Sequence, residues 1–152
     1  MAKANTPSRA DLQKLADSRL QEAKVLLANH LPDGAVYLAG YALELAFKAR
    51  ICKLLDSDYP SLGEEFRSFR THKYLTLLKL AGLENQLLQK QTQDPAFKTS
   101  WSILLGASPE DGWSENWRYR KLGSTSTSDA QSFIKALEDT QSGILTWLKT
   151  LW

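Results

Sequence analysis

The stretch that decides the fold is Gly34–Leu55, GAVYLAGYALELAFKARICKLL. It contains no proline, and its apolar side chains point in nearly every direction around a helical wheel. Such a helix is either the buried centre of a globular protein or a membrane span. Because Glu44 and Lys48 interrupt the stretch, its uncharged runs are too short to cross a bilayer. We therefore predict a buried central helix.

One face of this central helix is polar. At 3.6 residues per turn, Tyr37, Tyr41, Glu44 and Lys48 lie within about 60° of one another. A buried carboxylate and a buried ammonium group each cost several kcal/mol unless they are paired. The stripe therefore predicts either a seam that lines a nucleotide pocket or dimer contact, or an internal network of ion pairs.

The residues before the central helix supply a candidate partner for the buried carboxylate. Arg9–His30 repeats apolar residues at helical spacing, and residues 31–34 (LPDG) form a turn. The first two helices should therefore lie antiparallel, with Arg19 opposite Glu44. Because their charges are opposite, we expect a structural ion pair between these two side chains.

The rest of the chain predicts further helices and no strands. We expect a helix capped by Thr71 and closed by Gly82, a short helical segment within 84–90, a helix capped by Asp94 that runs to Leu105, and a last helix that opens with a capping box at Ser128 and Gln131 and runs to the C-terminus. Residues 107–112 (ASPEDG) should break the chain, and 123–128 (GSTSTS) should form a loop. The predicted fold class is all-α, an antiparallel bundle of four to five principal helices.

Length and composition narrow the class of protein. The 152 residues predict one helical domain over 9–152, preceded by a flexible segment 1–8 and containing a candidate insertion at 84–116. A net charge of +2 argues against unspecific, charge-driven binding to nucleic acids or membranes. With one cysteine, no signal peptide and no apolar span, we expect a cytoplasmic protein without a membrane partner, metal site or cofactor.

Arg67 and His72 form one candidate catalytic pair. A histidine can act as general acid or base on a ribose hydroxyl, while an arginine stabilises the charged phosphorane. The alternative is that His72, which follows a predicted helix cap, simply packs or bonds to the backbone.

The segment Trp117-Arg118-Tyr119-Arg120 interleaves cations with aromatic rings. This pattern suits stacking on bases and contact with phosphates, and makes Trp117, Arg118 and Tyr119 candidate nucleotide-binding or RNA-binding residues. It is equally typical of a packed surface loop with cation–π contacts.

Four motifs together resemble those of HEPN domains. The segment from Leu20 to Ile51 resembles the family's two-helix signature, an Ala-x-x-Leu-Leu element followed by Ala-x₇-Glu-x₃-Lys. THKYLTLLKLAGL at 71–83 is similar to the helix that follows, Arg118-Tyr119 to the Arg-Tyr before the last helix, and 128–152 to that helix. The resemblance covers about residues 11–152 and matches Glu44, Lys48, His72, Arg118 and Tyr119 to motif positions.

The resemblance implies a HEPN-like helical bundle, usually a homodimer, that takes part in nucleotide or RNA transactions. Many such proteins partner a minimal nucleotidyltransferase, several in toxin–antitoxin modules. Others are metal-independent endoribonucleases with an arginine and, four to six residues later, a histidine near the last helices. Here no histidine follows Arg118, and the pair Arg67–His72 lies before the third helix.

These departures favour a non-catalytic function. We expect a HEPN-type accessory protein that binds a nucleotide or RNA, within a toxin–antitoxin or defence module, through Tyr41, Glu44, Lys48 and the 117–119 segment. One alternative is an endoribonuclease toxin that uses His72 with Arg67 or Arg118. A second alternative is a purely structural assembly module.

Overall fold

The computed structural model describes residues 6–106 and 112–152, and the regular structure in this part of the chain is entirely helical. The predicted all-α bundle is confirmed, although with more and shorter helices than expected. The α-helices are α1 (Arg9–Ala28), α2 (Pro32–Leu55), α3 (Tyr74–Leu80), α4 (Glu84–Gln93), α5 (Pro95–Leu105), α6 (Thr127–Glu138) and α7 (Ile144–Lys149). Two 3₁₀ helices span Glu64–Phe69 and Glu115–Tyr119. None of the described helices is both long and apolar enough to cross a bilayer.

The first two helices form an antiparallel hairpin. Ser8 begins α1 with a capping box, because its hydroxyl accepts from the backbone N–H of Asp11 while the Asp11 carboxylate accepts from that of Ser8. The predicted flexible segment 1–8 thus ends in an ordered cap; its residues 1–5 lie outside the described residues. His30, with φ at 62°, reverses the chain before Pro32 opens α2.

The centre of the bundle is α2, as predicted. It contacts α1, α3, α6 and α7. Small side chains let these helices pack close to α2. Five of its alanines are fully buried: Ala35, Ala39, Ala42, Ala46 and Ala49.

In the middle of the chain, one predicted helix N-cap is confirmed and another is wrong. Asp94 caps α5 as predicted, with its Oδ1 accepting from the Phe97 N–H at 3.1 Å. The Thr71 cap is wrong, because α3 begins at Tyr74. Thr71 instead accepts a hydrogen bond from the Lys73 N–H, which forms a local turn before the helix.

The stretch 84–116 contributes to the core. Phe97, Trp101 and Leu104 on α5 are buried, and the Trp101 ring packs 6.3 Å from that of Phe47 in α2. The predicted chain break at 107–112 lies outside the described residues except for Gly112.

The C-terminal region is two helices, not the single long helix expected. Its first helix is capped by Ser126, two residues before the predicted cap at Ser128. It ends where the Asp139 Oδ1 accepts from the backbone N–H groups of Gln141 and Ser142 and bends the chain. A side chain at Gly143 would lie 2.6 Å from the Asp139 carbonyl oxygen, so this bend needs glycine before α7.

Candidate binding site around His72

A buried carboxylate lies at the middle of the polar stripe of α2. Glu44 is 2% exposed. Its Oε1 accepts from Lys48 Nζ at 2.8 Å, and its two oxygens lie 2.9 and 3.0 Å from His72 Nδ1. Lys48 comes from the next turn of α2, whereas His72 comes from the segment before α3. Together they satisfy the carboxylate, which explains how a charge is tolerated inside the bundle.

The predicted ion pair between Arg19 and Glu44 is wrong. Arg19 pairs with Glu22 on its own helix, with 2.5 Å between Nη1 and Oε2. Residues three and four apart on a helix are neighbours, so a local partner is available without crossing the hairpin. Lys48, four residues from Glu44, follows the same rule. His72, the other partner of Glu44, comes from a connection whose path the antiparallel pairing of α1 and α2 does not predict.

The Glu44 contact orients the ring of His72. A nitrogen that faces a carboxylate carries the hydrogen, so Nδ1 donates and Nε2 is directed away from Glu44. The His72 side chain is 43% exposed. An imidazole held in this way presents Nε2 as an acceptor when neutral and as a donor when protonated.

His72 lines two cavities at once. The first, of about 350 Å³, is also lined by Lys48, Arg70, Ser61 and Thr71, and most of its other lining is apolar, including Leu12, Leu45 and Phe69. The second, of about 510 Å³, is lined by His72, Tyr74, Trp113, Ser114, Glu115 and Asn116, among others. The first cavity therefore has two cations in a mainly apolar wall, and we call it the cationic cavity. The second combines aromatic rings with hydrogen-bonding groups.

Trp113 packs directly against α2 and shapes the second cavity. Its Nε1 donates to the Tyr37 carbonyl at 3.1 Å, and its ring stacks on Tyr74 at 5.4 Å. A Cβ at Gly40 would overlap the Trp113 indole, so this glycine allows the close approach. The Tyr74 hydroxyl donates to the Gly40 carbonyl at 2.8 Å and holds the stack in register.

Two tyrosines continue the polar stripe from His72. The Tyr41 ring lies edge-on to His72 at 6.3 Å and to Tyr37 at 5.3 Å. Burial raises the pKa of Tyr41, and the neighbouring Tyr37 hydroxyl and Glu44 carboxylate add to the increase. Tyr41 therefore keeps a neutral hydroxyl at physiological pH.

The 117–120 segment approaches the far end of the same stripe. Arg118 and Tyr37 line a third cavity, of about 320 Å³, together with Asp33 and Arg120. Hydrogen bonds with Tyr119 and Tyr37 raise the pKa of Arg118.

The rings of the segment already have cationic neighbours. Arg118 lies 4.8 Å from the centre of the Tyr119 ring, and Arg120 lies 4.1 Å from that of Trp117. Trp117 also packs on Phe133 of α6 at 6.3 Å. One face of Trp117 is thus occupied from within the chain, whereas Tyr119 is 75% exposed.

Arg67, the other predicted catalytic residue, pairs with Glu64 and does not line the cavities beside His72. Its side chain is 79% exposed and lies 3.5 Å from Glu64. It is absent from the lining of both cavities beside His72, where the arginine present is Arg70.

Sequence reasoning missed Trp113, Arg70 and the contact between Glu44 and His72. The signal for Trp113 was Gly40, a glycine inside an otherwise strong helix, which often marks close approach of another group. The contact joins residues 28 apart across an irregular connection, so no spacing rule reveals it.

The structure and the comparisons assign no cofactor and no family. Among residues 6–106 and 112–152, no three His, Cys, Asp or Glu side chains lie close enough together to hold a metal ion. Comparison of the chain with known protein families, curated proteins and solved structures found no match. The resemblance to HEPN domains therefore stays a prediction.

Proposed function

We propose that this chain binds a nucleotide or a short stretch of RNA over His72 and does so as a non-catalytic accessory protein. The observation that carries this proposal is the position of His72, fixed by buried Glu44 at the boundary between a cationic and an aromatic cavity. A nucleotide carries both chemistries, an anionic phosphate and an aromatic base.

The cationic cavity supplies groups that suit a phosphate. Lys48 and Arg70 provide positive charge, and the hydroxyls of Ser61 and Thr71 can donate hydrogen bonds. Both cations have a carboxylate partner, since Lys48 pairs with Glu44 at 2.8 Å and Arg70 lies 3.9 Å from Glu64. The pair of Arg70 is the longer and more exposed of the two, so its charge is the less offset. Arg70 Nη1 also donates to the carbonyls of Ser61 and Gly63, which holds its guanidinium in place.

An endoribonuclease is the second candidate, and the contact between Glu44 and His72 favours it. A carboxylate on Nδ1 makes Nε2 a suitable base for the 2′-hydroxyl of RNA. Once that oxygen attacks the phosphorus, Nε2 would pass the proton it has taken to the leaving 5′-oxygen, and the phosphorane needs a cation. Arg67 faces Glu64 instead of this site, so the cation would be Arg70, or Arg118 supplied across a dimer.

The wider assignments rest on the HEPN resemblance alone. They are a homodimer, a minimal nucleotidyltransferase as partner, and a place in a toxin–antitoxin module. A structural assembly module would need only the apolar helices and would leave the site around His72 without a ligand.

One experiment separates these functions. Purified protein is incubated with end-labelled RNA in the presence of a chelator, and both binding and cleavage are followed. Asparagine replaces histidine in two variants, His72→Asn and the matched control His30→Asn, since His30 is the other histidine and lies in the α1–α2 turn. We expect intact RNA, and binding that weakens about tenfold only in His72→Asn, the effect of one lost charge-assisted hydrogen bond.

The other outcomes are equally informative. Cleavage that disappears in His72→Asn and persists in His30→Asn would overturn the non-catalytic proposal in favour of the endoribonuclease. Neither binding nor cleavage by the wild type would overturn both and leave the assembly module.

A further inference from the structure

Cationic and aromatic side chains continue from His72 along the whole polar side of α2. From one end to the other the order is Arg118, Tyr37, Tyr41, His72, Lys48 and Arg70, which we call the α2 track. Neighbouring members touch or line the same cavity throughout. The three cavities described above lie along it, so the surface is concave at both ends and at its middle.

The length of the α2 track exceeds that of a mononucleotide. Tyr37 and Lys48 are eleven residues apart on one helix, which corresponds to about 16 Å at 1.5 Å per residue. A stacked single strand rises about 3.4 Å per nucleotide. The α2 track therefore matches about four or five stacked nucleotides.

Charge is placed at the two ends of the track and rings between them. Arg118 and Arg120 line the cavity at one end, and Lys48 and Arg70 line the cavity at the other. The interplanar angles are 87° between Tyr37 and Tyr41 and 83° between Tyr41 and His72, so successive rings pack edge to face. Aromatic rings in a positively charged groove are the usual means of holding single strands without reading their sequence.

The carboxylates near the track offset part of this positive charge, most of all that of Lys48. Glu44 is buried and paired with Lys48 and His72. Asp33 accepts from the backbone N–H groups of Gly123 and Thr125 at 2.7 and 2.8 Å. Glu64 lies 3.9 Å from Arg70 at an exposed position, where water screens the pair. Glu115, in the second cavity beside His72, is a further carboxylate near the track.

We infer that the ligand is a single strand of about four or five nucleotides that lies along the α2 track, with phosphates near Arg118 at one end and Arg70 at the other. This inference rests on the proposed function and narrows its ligand from any nucleotide to a single strand. The contiguity of the track, its length and its two cationic ends support it.

A length series of ligands tests the inference. Uridine monophosphate and fluorescent oligouridylates of two to eight nucleotides are titrated against the full chain at low salt with a chelator. We expect affinity to rise steeply up to about five nucleotides and then level off, because longer strands extend beyond the track.

Single variants locate the two ends. Arg118→Gln should weaken binding of the five-nucleotide strand about tenfold and leave the monophosphate unchanged, since one phosphate contact is lost at the far end only. Arg70→Gln should weaken both ligands. Lys53→Gln is the matched control, because Lys53 is an exposed cation about 160° away from Tyr37 around α2 and should have no effect.

The failure of the inference can be told apart from that of the proposed function. Equal affinity for the monophosphate and the five-nucleotide strand, with no effect of Arg118→Gln, would overturn the single-strand inference alone. Equal affinity for a duplex of the same length would overturn it as well. No binding of any ligand would overturn both.

Discussion

The two sides of α2 differ in what holds them in place. On one side, fully buried apolar residues such as Leu43 and Ala46 face other helices, and any partner of suitable shape would serve. On the other side, Glu44 is equally buried but depends on two named groups, Lys48 and His72. The first side therefore tolerates exchange of one apolar group for another, whereas the second specifies its neighbours.

Leu43 and Glu44 are adjacent in sequence and lie on these two sides. Changing each in turn separates what stabilises the bundle from what organises the site around His72. The expected loss in the free energy of unfolding is largest on the apolar side of α2, smaller on its polar side and smallest at the N-terminal end of the polar side.

Leu43→Ala should have the largest effect on stability. Leu43 is fully buried, so the change removes apolar contacts and leaves a cavity. We expect a loss of about 2–5 kcal/mol in the free energy of unfolding, measured by urea denaturation. RNA binding by the fraction that remains folded should be unchanged. Weakened binding by that folded fraction would show that the two sides of α2 are not separable.

Glu44→Gln should lower the free energy of unfolding less than Leu43→Ala does, and it should weaken RNA binding more. Glutamine keeps the shape but removes the charge that holds Lys48 and His72. Because both partners can reach water, we expect a loss of about 2–3 kcal/mol in the free energy of unfolding, below that for a fully enclosed ion pair.

The functional readout for this variant is binding by folded protein. The Glu44→Gln variant should bind the five-nucleotide strand less tightly than wild type, because the ring of His72 is no longer fixed. The matched control is Glu22→Gln, the same chemical change at a carboxylate that pairs with Arg19 at the surface of α1. Equal binding by Glu44→Gln and wild type would mean that Glu44 serves stability alone.

The difference between the two sides also sets what sequence can predict. The burial of α2 follows from apolar side chains nearly all round the helix, and the Asp94 cap follows from a local rule that needs only neighbouring residues. The contact between Glu44 and His72 follows from neither, because it depends on the path of an irregular connection. Arg19 shows the converse error, in which a plausible contact across the hairpin loses to a partner three residues away.

A continuous apolar stripe can also conceal a break. Residues 133–151 keep helical spacing through the bend, so periodicity alone predicts one helix. The Asp139 carboxylate bonds to the N–H groups that would otherwise continue the helix, and Gly143 permits the backbone contact that results. Polar side chains that can bond to backbone N–H groups therefore mark where a predicted continuous helix is most easily interrupted.

Substitution of Asp33 should have the smallest effect on the free energy of unfolding, and it tests the N-terminal end of the polar side of α2. It lies at the start of α2, on the same side as Tyr37, and joins that helix to the loop at Gly123 and Thr125. The hydrogen bond from the Gly123 N–H, followed by those from Thr125, holds the pKa of Asp33 below its usual value of 3.8. The ionised form is thus favoured in the folded state.

A lowered pKa fixes the sign of the pH dependence. Asp33 contributes stability above its unfolded pKa, and this contribution is lost as the pH falls through the lowered folded value. Asp33→Asn should therefore reduce the free energy of unfolding by about 1 kcal/mol at neutral pH, as for other side chains that bond to backbone N–H groups. The difference from wild type should shrink as the pH falls below 3.8. Urea denaturation across this range, with Asp58→Asn as an exposed-charge control, measures it. A difference that stays constant with pH would show that Asp33 anchors the loop by shape and not by charge.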